Sequence, residues 1–150
     1  MKILFDTSII VEIDRQNEKI VNILKKLVEK RHDLIISTIT VAEILTGSYL
    51  RKDSKEAVLK AKEVLNQFLW VDYDSSVAED TSKLLSNLII ERKEKSVDYP
   101  DIQIAATFLA SNCDYLITFN KKDFLQFQNI KEKILDIYEL EKKLFKENSK

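Results

Sequence analysis

Short, unbroken apolar runs recur along the chain, each too short for a helix and each ended by polar or acidic residues. Ile3-Leu4-Phe5 stops at Asp6-Thr7-Ser8, and Leu34-Ile35-Ile36 stops at Ser37-Thr38. Leu69-Trp70-Val71 runs into the acidic turn Asp72-Tyr73-Asp74-Ser75, Tyr115-Leu116-Ile117 into Thr118-Phe119-Asn120, and Ile134-Leu135 begins a last run. Runs without polar alternation read as strands buried on both faces, the usual situation inside a parallel sheet. The intervening segments have helical spacing. Ile9, Ile10 and Ile13 mark a short helix over 8–14, and Ile20, Ile23, Leu24, Leu27 and Val28 recur at i, i+3, i+4, i+7 and i+8. Further helices are predicted from Thr40, over 55–69 (Val58, Ala61, Leu65, Phe68, Leu69), and over about 76–93 through Val77, Leu84, Leu85, Leu88 and Ile89. A polar piece at 93–97 leads to another from Asp98 that buries Ile102, Ala105, Ala106 and Leu109; a short helix or turn over 121–125 and a charged helix over 138–147 complete the series.

Strands alternating with helices predict an α/β chain with a parallel sheet covered on both faces. No linker, repeat or low-complexity tract divides it, so 1–150 reads as one domain, with about 138–150 a charged terminal helix or tail. Trp70 and the phenylalanines read as core, and Gly47 as a helix end or a close approach.

Scarcity narrows the chemistry more than abundance does. There is one His, one Cys and one Gly, which removes zinc fingers, intrachain disulfides, His-pair nucleases and the glycine-rich phosphate loops. Lys plus Arg (24) nearly cancel Asp plus Glu (25), so no global basic field points to nucleic acid. No run approaches the ~20 apolar residues of a membrane span and the amino terminus lacks a signal-peptide pattern, so the expected location is the cytoplasm. His32 closes a helix before the second strand, and no catalytic role is expected of it; Cys113 reads as structural.

What remains are carboxylates and hydroxyls. Each acid has an ordinary explanation: Asp6 as an N-cap, Thr40-Val41-Ala42-Glu43 as a capping box, Asp98 as the cap of the helix holding Asp101, and Asp123 as a solvated turn residue. Their joint placement says more. Asp6 and Glu43 follow the first two strands, Asp101 opens the helix leading into the fourth, and Asn120 and Asp123 follow the fourth. In a parallel sheet these positions share one edge, where clustered acids repel unless a cation offsets them. An oxygen-only set suits Mg²⁺ or Mn²⁺ rather than zinc. A phosphoryl-transfer enzyme usually wants a second Asp where Ser8 stands; a non-catalytic binding module stays open as well.

Taken together, Ile3-Leu4-Phe5-Asp6-Thr7-Ser8, Thr40 to Gly47, Asp101-Ile102-Gln103-Ile104-Ala105-Ala106 and Thr118-Phe119-Asn120-Lys121-Lys122-Asp123-Phe124 resemble the PIN domain, and within it the VapC-like toxins of VapBC toxin–antitoxin pairs. The resemblance covers nearly the whole chain. It implies a three-layer α/β/α fold with a central five-stranded parallel sheet, Mg²⁺-dependent ribonuclease activity, a homodimer and a small antitoxin partner. It makes Asp6, Glu43 and Asp101 the core metal-binding acids, with Thr7, Ser8, Asp98 and Thr118 in support. At the family's fourth acidic position this chain has Asn120, so either Asp123 contributes or the ion is held by three acids with Asn120. The antitoxin is expected to insert a cationic side chain among the acids and to lay an amphipathic helix in an apolar groove. A housekeeping RNA-processing nuclease is the alternative within the same family.

Overall fold

The structure, a computed structural model, describes residues 1–91 and 97–146. The sheet contains β1 (Lys2–Phe5), β2 (Asp33–Ser37), β3 (Leu69–Val71), β4 (Tyr115–Ile117) and β5 (Ile134–Leu135). Its order is β3-β2-β1-β4-β5 and every pairing is parallel. The helices are α1 (Thr7–Asp14), α2 (Glu18–Glu29), α3 (Thr38–Tyr49), α4 (Ser54–Leu65), α5 (Ser75–Ile90), α6 (Tyr99–Ala110), α7 (Lys121–Phe124) and α8 (Ile137–Glu141). The predicted α/β class, its five strands and its parallel sense are all present.

Strand alternation divides the interior into two cores. Ile3, Phe5, Leu34, Ile36 and Ile117 point to one face, under α1, α2, α3, α4 and α8. Leu4, Ile35, Leu116 and Ile134 point to the other, under α5, α6 and α7. Ile3, Leu4 and Phe5 are fully buried, as a central strand requires. The chain leaves β1 toward β2 and returns on the far side to β4. The order therefore reverses between β1 and β4, where open α/β sheets bind ligands.

Several sequence expectations need correction. The helix predicted over 55–69 stops at Leu65, and Leu69 begins β3 instead. Trp70 is not core: it is 45% exposed on the outermost strand, and its Nε1–H donates to the Leu65 carbonyl, 2.9 Å away. An edge strand leaves a face open that apolar content alone does not reveal. Val28 and Ile89 extend the predicted apolar lines but sit exposed near the carboxyl ends of α2 and α5. Phe119 is also exposed. Gly47 marks neither an end nor a close approach. It lies inside α3, and a Cβ there would meet nothing within 4 Å. With the only glycine so placed, left-handed residues after α1, α2 and α6 are Gln16, Arg31 and Asn112. Residues 92 and 93 of the predicted long helix, 93–96 of the polar piece and Glu147 lie outside the described residues.

Candidate active site

The carboxyl edge of the sheet is built outward from Asp6. Its backbone N–H donates to the Ile117 carbonyl at 2.9 Å, which ties the ends of β1 and β4 together at the point of reversal. The carboxylate is 2% exposed. Its Oδ2 accepts from the Ser8 Oγ at 2.7 Å, the Thr118 Oγ1 at 2.8 Å and the Ser8 N–H at 3.3 Å. Asp6 thus caps α1 and also lines the cleft, so the two readings of its sequence context coincide. The donors that hold it are hydroxyls and an amide.

Glu43 reaches the same cleft from α3. The capping-box expectation does not hold, because α3 starts at Thr38 under Ser37, whose Oγ accepts from the Ile39 N–H at 3.2 Å. With Thr40 already inside the helix, Glu43 instead accepts from the Thr7 Oγ1 at 2.7 Å, a bond spanning 36 positions. Thr7 Oγ1 also lies 3.1 Å from Thr40 Oγ1.

Asp98 and Asp101 come from the start of α6. Asp98 has the extended backbone of a cap (φ −63°, ψ 141°), but its side chain makes no capping bond, contrary to expectation. Two features of the first turn explain this. Pro100 has no N–H to offer, and the Asp101 N–H donates to the Asp98 backbone carbonyl at 3.0 Å. The Asp98 carboxylate lies with Asp101 along the cleft instead. Asp123, in the first turn of α7, and Asn120, just before it, complete the wall; the Asn120 N–H donates to Thr118 Oγ1 at 2.9 Å.

The resulting cleft has a volume of about 410 Å³ and gathers Asp6, Glu43, Asp98, Asp101 and Asp123 with Thr7, Ser8 and Asn120. Every acid singled out in the sequence lies there. Val11 and Tyr99 also line it, and sequence reasoning passed over both. Tyr99 is 52% exposed and is hydrogen-bonded to Tyr73, an association across distant segments that leaves no sequence signal. His32 lies at the opposite edge, where its Nδ1 is 3.5 Å from the terminal amine of Met1. Cys113 is buried near that edge and its thiol is pushed up, mainly by burial.

Burial and the crowding of like charge act together on two of these acids. The Asp101 carboxyl is raised to about 7, first by burial and then by Asp6, Asp123, Glu43 and Asp98. Burial is also the main cause that lifts Glu43; the Thr7 hydrogen bond opposes it, and the charges of Asp6 and Asp98 add to it. No group of three or more His, Cys, Asp or Glu among the described residues is arranged to hold a metal ion as it stands. The donor chemistry nevertheless fits a hard cation: five carboxylates and an amide oxygen share one cleft, and burial with the neighbouring acids raises two of them, Asp101 and Glu43.

No helix among the described residues is long and apolar enough to cross a membrane, and no curated protein matches the chain in sequence. Solved structures do share its fold. A chain of VapBC2 from Rickettsia felis, bound to a promoter DNA fragment, superposes with a TM-score of 0.79 at 24% identity, covering 91% of this chain and 98% of its own. A chain of DNA-bound VapBC from Salmonella typhimurium gives 0.79 at 22% identity, with 91% and 98% covered. VapC20 of Mycobacterium tuberculosis, a sarcin–ricin-loop-cleaving toxin, gives 0.59 at 14%, with 83% and 94% covered. The PIN domain family model matches residues 3–132, which take in the sheet from Ile3 of β1 through β4 and all of the acid cleft, and the chain belongs to the PIN-domain family.

Proposed function

We propose that this protein is a Mg²⁺- or Mn²⁺-dependent endoribonuclease and the toxin of a toxin–antitoxin pair. The observation that carries the reading is the convergence of Asp6, Glu43, Asp98, Asp101 and Asp123 on one cleft, with Asp101 raised to about 7 by burial and by its neighbours. Asp6 and Asp101 would hold the cation, with Glu43 and Asp123 completing the catalytic acids and Asn120 offering a carbonyl oxygen. When bound, the cation supplies charge neutralisation for the phosphodiester and lowers the pKa of water at the cleft.

The chain's own residues prepare that environment. Ser8 and Thr118 fix one oxygen of Asp6 with short hydroxyl bonds, and Thr7 fixes Glu43, so these two acids are oriented by neutral donors, which leave their charge in place. Asp98, just before α6, adds its negative charge to those acting on Asp101. The fold shared with VapC20, which cleaves the sarcin–ricin loop, supports RNA as the substrate class. The fold shared with the VapBC chains supports an antitoxin partner; a homodimer and action in the cytoplasm belong to the same proposal. A separate apolar cavity of about 380 Å³, lined by Ile13, Val21, Leu24, Val28 and Phe68, suits an antitoxin helix, while a partner's Arg would suit the acids.

Asn120 and the absence of a ready-made ion cage among the described residues favour a second reading, a catalytically weak binding module. Growth on expression separates the readings. The toxin reading expects wild-type protein to arrest growth, Asp101→Asn to abolish the arrest, and co-expression of the neighbouring small gene to relieve it. Harmless wild-type protein that cleaves RNA when purified would point to a housekeeping nuclease, and protein that does neither to a binding module.

A further inference from the structure

The acid cleft repels a polyanion wherever a cation does not intervene. Grip on a nucleic-acid strand must therefore come from groups beside it. One cluster just outside has that chemistry and is assigned no role by the acids. Phe119 follows the buried Thr118 and precedes Asn120, and its ring is 40% exposed. Its backbone N–H donates to Ser8 Oγ at 3.0 Å, the same hydroxyl that donates to Asp6 at 2.7 Å. The ring meets Tyr138 of α8 with centroids 6.2 Å apart and planes inclined by 46°. From the start of α2, Lys19 places its Nζ 4.5 Å from the centre of the Tyr138 ring.

Ordinary packing is the simpler account of two touching rings, but neither ring belongs to either core, and Tyr138 is 37% exposed. The acids on the same element are already engaged. Glu139 is bonded to Lys121 Nζ at 2.6 and 2.8 Å, and Asp136 accepts the N–H groups of Tyr138 and Glu139, both at 2.8 Å. An exposed aromatic pair with a cation over it, two hydrogen bonds from Asp6, is what unpaired bases use, since every base has a face to stack.

The geometry points to a base-stacking subsite: Phe119 and Tyr138, with Lys19 above, seat an unpaired nucleotide of single-stranded RNA as the strand leaves the acid cleft. This rests on the nuclease reading of that cleft. Stacking depends on bases and the Lys19 contact on phosphate, so the two separate experimentally.

Fluorescence anisotropy, with Ca²⁺ in place of Mg²⁺, compares a short labelled single-stranded RNA with an abasic strand of equal length. Wild-type protein is expected to prefer the base-bearing strand by roughly tenfold. The Phe119→Leu/Tyr138→Leu double variant should bind both strands at the wild-type abasic level, and Phe119→Tyr/Tyr138→Phe should keep the preference. Lys19→Gln should weaken both strands alike and flatten the salt dependence. In cleavage the double Leu variant should raise KM about tenfold while kcat changes little. An unchanged preference in that variant overturns the proposal: with a lowered Tm the rings are packing, and with weakened binding of the antitoxin they are a protein-docking surface. Wild-type protein that prefers base-bearing RNA but never cleaves it sinks the nuclease reading and leaves the subsite standing.

Discussion

The two edges of the sheet carry similar residues and treat them in opposite ways. At the amino edge Asp114 accepts the Lys2 N–H at 2.8 Å, and His32 lies by the terminal amine. His32 is held below its usual range, mainly by partial burial and then by that amine, with Asp114 and Asp33 opposing. Charges of both signs sit there, the terminal amine and Lys2 near Asp33 and Asp114. At the carboxyl edge five carboxylates meet, and the donors to Asp6 and Glu43 are hydroxyls and an amide. A hydroxyl orients a carboxylate without neutralising it. One edge closes the fold, and the other stores unfavourable charge for a ligand to relieve.

The largest effect that would break this comparison is loss of a central acid. Asp101→Asn and Asp6→Asn keep the shape of the side chain and remove its charge, so RNA cleavage should fall by more than the ~100-fold typical of a lost supporting residue. The fold should persist. Asp101→Asn should even raise the cation-free Tm, since it deletes a carboxylate that burial and four neighbours disfavour. A folded, fully active Asp101→Asn protein would remove the acid edge from the mechanism.

The hydroxyls come next. Thr118→Val and Thr7→Val each delete one donor, to Asp6 or to Glu43, and should cost about 10- to 100-fold in cation affinity or turnover. Titration of Mn²⁺ against activity checks this, with the half-saturating concentration expected to rise.

The edges should also differ in pH response. A carboxyl raised above its unfolded value binds more protons in the folded state, so its contribution is fully present below about pH 4 and is lost as pH rises through about 7. Glu43, raised in the same direction, adds to the trend. Without divalent cation Tm should therefore fall across that window, and Mn²⁺ should restore it at neutral pH but do little near the acid end. A Tm gain from Mn²⁺ that is independent of pH would contradict the crowding argument.

The smallest effects belong outside the acid edge. His32→Ala should retain near-wild-type turnover at saturating cation, because the ring lies across the sheet from the cleft. Gly47→Ala, in an exposed helical position with open space for a Cβ, should stabilise by about 0.5–1 kcal/mol in denaturant unfolding.

The strands and their order of chemistry were legible because buried parallel strands need unbroken apolar runs, as in Ile3-Leu4-Phe5 and Tyr115-Leu116-Ile117. The acids were legible because the ends of such runs share an edge. Less visible were features decided by tertiary context. Trp70 looked like core until β3 proved to be an edge strand. Asp98 looked like a side-chain cap until Pro100 removed the amide it would have met. The bond from Thr7 to Glu43 joins two helices, and nothing local to either residue announces it. Nor does sequence distinguish the exposed Phe119 from the buried Phe124 five positions on.

The most direct test is cleavage of single-stranded RNA by purified protein in Mg²⁺ or Mn²⁺, in excess EDTA, and by Asp101→Asn under both conditions. The account predicts cutting by wild-type protein with either cation, none in EDTA, recovery when cation is restored, and none by the variant throughout. Undiminished wild-type cleavage in EDTA would contradict it.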